Sequence, residues 1–141
     1  MKRRTLRGQV DQVLTVKRLI MDDGRLTSGY RVLEFHVWPN LDGNDLVTGV
    51  LGLDYDMDST ANAADNRQIA WAMGSVDATG NNLGGQKWTV IDPDHIVIQD
   101  LYIICNADVP TNYMIVIEPV ELSNDESIIA LIKERSQDDL R

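Results

Sequence analysis

The sequence predicts an all-β chain, an antiparallel β-sandwich followed by a short C-terminal helix. Short runs rich in β-branched and aromatic residues recur along it, and several alternate polar with apolar side chains. Clusters of Gly, Asn, Asp and Pro separate the runs, as turns between strands require. Only the last segment spaces its apolar residues as a helix does.

The first strand is expected at Val13–Met21, VLTVKRLIM, which stops at the turn signal DDGR. Tyr30–Pro39 is the clearest strand, with Leu33, Phe35 and Val37 on one face and Glu34, His36 and Trp38 on the other. LVTGVLGLDYDM follows the turn NLDGND, and a polar loop leads to Arg67–Met73, whose length suits a strand or a helix. After the loop DATGNNLGGQ come WTVI and the segment His95–Asn106. That segment carries apolar residues on both faces: Ile96, Ile98, Tyr102 and Ile104 against Val97, Leu101, Ile103 and Cys105. It reads as a strand covered on both sides. Asn112–Leu122 completes a count of seven or eight strands.

Ser123 and Glu126 are spaced as a capping box, in which each side chain satisfies an otherwise orphaned amide at a helix start. The helix expected at Asp125–Ser136 places Ile128, Ile129, Leu131 and Ile132 in an apolar stripe, with Lys133, Glu134 and Arg135 polar. Such a stripe docks, either on its own sandwich or on a neighbouring subunit. The organisation is therefore a basic N-terminal arm over residues 1–8, a sandwich domain over 9–122, and a helix and tail over 123–141.

A chain of 141 residues with 43% hydrophobic content can build one continuous core and has no room for a second. The net charge of −9 is unevenly spread: Lys2, Arg3, Arg4 and Arg7 lie in the first seven residues, and without them the remainder carries −13. The body repels nucleic acid and anionic membrane at long range, whereas the arm can contact phosphates or an acidic neighbour. Cys105 is the sole cysteine, which excludes an intrachain disulfide framework and a thiolate zinc cluster. The N-terminus lacks the apolar run of a signal peptide, and no run is long enough for a membrane span.

The stretch Asp54–Asp65, DYDMDSTANAAD, has carboxylates at positions resembling those of a calcium loop: Asp54, Asp56, Asp58 and Asp65. Ser59 stands where an EF-hand requires glycine, Asp65 where it requires glutamate, and no helix precedes the loop. Alternation of Leu51, Leu53, Tyr55 and Met57 with Gly52 and the aspartates reads more simply as a strand with one solvated face. Calcium held by these four aspartates in a sandwich loop is the competing reading.

No catalytic set emerges. His36 and His95 lack a second ligand at metal spacing, and IDPDH before His95 reads as a turn. Glycines never form a phosphate-binding pattern, no G-x-S-x-G elbow occurs, and Cys105 lies in the apolar run LYIIC. Trp38, Trp71 and Trp88 are core residues by default and a sugar-stacking platform in the alternative.

A single sandwich of this size with a basic arm, large loops and no catalytic set resembles the jelly-roll coat and minor structural proteins of small viruses and phages. The resemblance covers Val13 to Leu122 at the level of architecture. It implies a sandwich of jelly-roll type in a virion, self-assembling with copies of itself and with other virion proteins. It further implies an arm of Lys2, Arg3, Arg4 and Arg7 making subunit or nucleic-acid contacts, and a terminal helix that interlocks neighbours. Edge strands that demand a partner also favour assembly over catalysis. The alternative is a calcium-stabilised carbohydrate- or ligand-binding module.

Overall fold

The computed structural model describes residues 3–11, 15–19, 28–40, 46–75, 87–98, 100–106 and 110–121. These form eight strands: β1 (Arg4–Val10), β2 (Lys17–Leu19), β3 (Ser28–Pro39), β4 (Leu46–Gly52), β5 (Gln68–Ser75), β6 (Lys87–Ile91), β7 (Leu101–Asn106) and β8 (Thr111–Glu121). They pair antiparallel in two sheets, ordered β1-β8-β3 and β2-β7-β4-β5-β6. No helix occurs among the described residues. The expected helix Asp125–Ser136 and its stripe Ile128, Ile129, Leu131 and Ile132 lie outside them, as does Lys2.

The alternation read from the sequence builds the core between the sheets. Phe35 and Val37 from β3 and Ile115 and Ile117 from β8 meet Val47 and Leu51 from β4 and Leu101, Ile103 and Cys105 from β7. Burying side chains of this size contributes roughly 1.5–3 kcal/mol each. Small residues let the layers close. A Cβ on Gly74 would overlap the Val37 carbonyl oxygen, and one on Gly49 would lie 2.7 Å from Val37 Cγ1 and 3.1 Å from Phe35 Cζ.

A second apolar cluster lies apart from this core. Val50 and Ile104 bury their side chains with Met57, which the loop after β4 supplies, and Val16, Trp71 and Tyr102 pack around them. Residues from both apolar sets expected in His95–Asn106 are thereby used, although Ile96 and Ile98 belong to neither cluster. Val97, Leu101, Ile103 and Cys105 join the main core, while Ile104 and Tyr102 join the second cluster.

Four boundaries differ from the sequence reading. The sheet begins at Arg4, because residues 4–8 of the segment read as an arm belong to β1, which pairs along its whole length with β8. Among the described residues of Val13–Met21, Lys17–Leu19 is strand, pairing with Leu101–Ile103, and Thr15 and Val16 are not. β3 carries a bulge at Leu33, so Val32 rather than Leu33 is buried; the extra residue shifts the alternation by one. His95–Asn106 is not one strand: Val97 exchanges backbone hydrogen bonds of 2.7 and 2.8 Å with Tyr30 of the other sheet, and β7 begins only at Leu101. Arg67–Met73, open between helix and strand, lies in β5 save for Arg67. Its alternating Ala70 and Ala72 face the core.

Candidate functional site

Sheet order leaves β6 at one margin of the five-stranded sheet and β1 at one margin of the three-stranded sheet. Lys87, Trp88, Thr89 and Val90 of β6 are all exposed, so this strand has no buried face until Ile91. Trp88 is 50% exposed and Val90 44%, and Leu46 at the start of β4 is 51% exposed. Leu46, Met73, Lys87 and Trp88 line a groove of about 430 Å³ here. The Lys87 ammonium stands 5.9 Å from the centre of the Trp38 ring, a cation–π contact that ties β6 to β3.

β1 presents the opposite chemistry. Leu6 turns inward against the core, while Arg3, Arg4 and Arg7 are exposed. Arg4 and Arg7 are thus held on a paired strand. Lys17 adds another cation nearby, its Nζ donating to the Gln9 carbonyl at 3.1 Å and lying 5.3 Å from the Tyr113 ring centre. A groove of about 530 Å³ between β1 and β3 is lined by Arg7, Gln9, Trp38, Asn112 and Met114, among others. Its amides are committed to the protein: Gln9 Nε2 donates to Asn112 Oδ1 at 2.9 Å.

The acidic stretch is a loop. β4 ends at Gly52, and the backbone that follows folds back so that Met57 is buried while Tyr55 is 61% exposed. The expected continuation of the strand to Met57 is therefore corrected. A Cβ on Gly52 would overlap Met57 Sδ and approach the Arg67 carbonyl oxygen to 2.8 Å. Only glycine allows the loop to close this tightly on the strand end.

Side chains within the loop hold it. Asp54 Oδ1 accepts from the Asp56 N–H at 2.9 Å, and Asp58 Oδ1 accepts from the Thr60 N–H and hydroxyl, both at 3.1 Å. Asp58 Oδ2 accepts from Asn62 Nδ2 at 3.1 Å. Gln68 binds the loop to β5, donating to the carbonyls of Asp58 and Thr60 and accepting from the Asn62 N–H and Trp71 Nε1. Asp65 is buried against Arg67, which donates from Nε at 3.0 Å and from Nη2 at 3.2 Å; the Asp58 N–H donates to Asp65 at 2.7 Å.

Electrostatics follows these bonds. The Thr60 N–H, followed by the Asn62 and Thr60 side chains, holds the Asp58 carboxyl below the ordinary carboxylate range. Burial pushes Asp65 up, but the Arg67 side chain and the Asp58 and Arg67 N–H groups outweigh it, and its carboxyl also lies low. Of the four aspartates read as calcium ligands, Asp58 and Asp65 come together through that backbone bond, whereas Asp54 caps a turn. Among the described residues no three of His, Cys, Asp and Glu gather as a metal ion would need.

The other polar candidates are dispersed. His36 Nε2 is 3.4 Å from Glu34 Oε1 on a solvated face, and His95 is buried. The Asp94 N–H donates to Asp92 Oδ1 at 3.0 Å, a local turn contact of the kind that aspartates make beside proline. Burial pushes the Cys105 thiol up to about 12. At ordinary pH it is neither thiolate nor accessible. Trp71 is half-buried under the loop and Trp38 half-buried beside Lys87, so of the three tryptophans Trp88 alone is exposed. In the sequence Trp88 is one tryptophan of three; its place on a marginal strand is decided only by the sheet order.

No family model matches the chain, and no curated protein matches it. A solved structure described under "Bacillus endospore appendages form a novel family of disulfide-linked pili" aligns with 86% of this chain and 88% of its own, at 18% identity and a TM-score of 0.36. Likeness at that level carries no argument about what this chain does. The match is to a protein of spore appendages and not to a viral coat, and the expected resemblance to virus and phage coat proteins, with a place in a virion, is withdrawn. No helix among the described residues is long and apolar enough to cross a membrane.

Proposed function

We propose that this chain is a self-assembling structural subunit, a sandwich that joins other copies through its marginal strands. The observation that carries the reading is β6: a strand at the margin of its sheet that exposes Trp88 and Val90 beside Leu46. An unpaired edge with large apolar side chains is a template for association unless it is covered. The cationic β1 on an otherwise acidic chain supplies a second, electrostatically complementary surface. The dispersal of the polar candidates supports a role without catalysis.

The nested strand order, β1 beside β8 and β2 beside β7 with β4 beside β5, supports assigning the sandwich to the jelly-roll type. β6 departs from that pattern because it pairs with β5 and not with β3.

The test is the mass distribution of the purified chain, with negative-stain images, beside the double variant Leu46→Asp with Trp88→Asp. Both positions are exposed, so the sandwich tolerates the change. Rings, filaments or shells that the double variant converts to monomer are expected. A wild-type chain that stays a monodisperse monomer at every concentration overturns the reading.

A further inference from the structure

We propose that the segment after β8, residues 122–141, turns back on its own chain and covers the outer face of the three-stranded sheet, setting Ile128, Ile129, Leu131 and Ile132 against Met114, Val116 and Val120. The inference goes beyond the assembly reading and does not rest on it.

The face carries the argument. Ile115 and Ile117 of β8 turn into the core, so Met114, Val116, Glu118 and Val120 point away from it. A sheet with one solvated face places polar residues there, yet three of these four are apolar. Val116 is only 8% exposed although it belongs to neither apolar cluster. Its partners across the ladder, Thr5 on β1 and Glu34 on β3, are exposed, and none of the described strands lies over it. Met114, Glu118 and Val120 are half-buried along the same strand. The middle of this face is thus an apolar strip that calls for a cover.

Arg31 adds a polar demand at the same place. It stands opposite Glu118 in the ladder, and its Nε is enclosed without a hydrogen bond. A buried donor of this kind calls for an acceptor. Asp125 and Glu126, immediately ahead of the apolar stripe, bring carboxylates complementary to that cation.

The point of departure selects the chain's own segment. β8 is the middle strand of this sheet and ends at Glu121, the residue after Val120. The 20 residues that follow start on the face they cover. A tethered segment meets that face at an effective concentration that a second copy in dilute solution does not reach. A covered face withholds its apolar strip from other copies.

Cysteine chemistry on the full chain tests the cover, with the native Cys105 buried. Dilute chains carrying both Met114→Cys and Ile129→Cys are oxidised mildly, and Asp94→Cys, on the exposed turn after β6, replaces Met114→Cys as control. A disulfide closed within one chain at least about tenfold faster than in the control is expected. Oxidation no faster than the control overturns the proposal. Mixed chains that carry one of the two cysteines each should give no covalent dimer above the control, and dimers in excess of it overturn the choice of the chain's own segment. In a second measurement, the thiol of Met114→Cys should label at least about tenfold faster once Ile128→Asp and Leu131→Asp are added, while unlabelled Cys105 reports an intact sandwich. An unchanged labelling rate overturns the cover. Neither readout depends on whether copies assemble.

Discussion

Arg67 and Asp65, two residues apart, form an ion pair at 3.0 Å with side chains 3% and 5% exposed, at the point where the acidic loop enters β5. The same carboxylate receives the Asp58 N–H from across the loop. One buried acid thus anchors both halves of the segment. Arg67→Ala leaves Asp65 buried without its cation and is expected to destabilise the fold by about 3–5 kcal/mol, measured by urea unfolding. Replacing Arg67 with Lys, which lacks the planar fork, should recover only part of that loss.

Asp58 and Asp65 both titrate below their ordinary value of 3.8 in the folded chain. As pH falls, the unfolded chain takes up these protons first, so the stability they contribute is present above pH 3.8 and is lost as pH falls below it toward their folded values. The acid limb of a stability–pH curve should be shallower in Asp65→Asn than in the parent chain. An unchanged acid limb would mean that the carboxylate contributes nothing through its charge.

Calcium at millimolar concentration is expected to leave the melting temperature unchanged, because Asp65 is bonded to Arg67 and Asp58 is bonded to Thr60 and Asn62. A cation that bound only the folded chain would raise it in proportion to the logarithm of its concentration. Differential scanning calorimetry with and without chelator decides between these outcomes.

Gly74→Ala should be more damaging than Gly49→Ala. The first would set a methyl against the backbone carbonyl of Val37, which the β3–β8 ladder holds in place; the second meets the side chains of Val37 and Phe35, which can adjust. Overpacking of this kind costs about 1–3 kcal/mol, with Gly74→Ala expected at or above the top of that range in chemical denaturation.

Cys105 should not react with a thiol reagent until the chain unfolds, since its side chain is enclosed and its thiol is protonated. Assemblies of the wild-type chain are accordingly expected to survive reducing agent unchanged. Disassembly by dithiothreitol would require a route by which Cys105 reaches the surface.

Local pattern alone carried the all-β class, the faces of β3 beyond its bulge at Leu33, and the two-sided burial around β7. Side chains on a strand alternate with period two wherever the chain is extended, and Phe35 with Val37 or Ile103 with Ile104 express that directly. The apolar stripe Ile128 to Ile132, spaced in the sequence as a helix face is, lies outside the described residues. Pairing was not legible. RTLRGQV has no apolar period of its own, and it is a strand because β8 offers it a complete ladder of partners. Asp54–Met57 alternates as a strand does, yet it folds as a loop because Gly52 permits a tight return and because burying Met57 and pairing Asp65 with Arg67 outweigh a longer ladder. The exposure of Trp88 was likewise decided only when β6 took the margin of its sheet, a choice made by contacts distant in sequence.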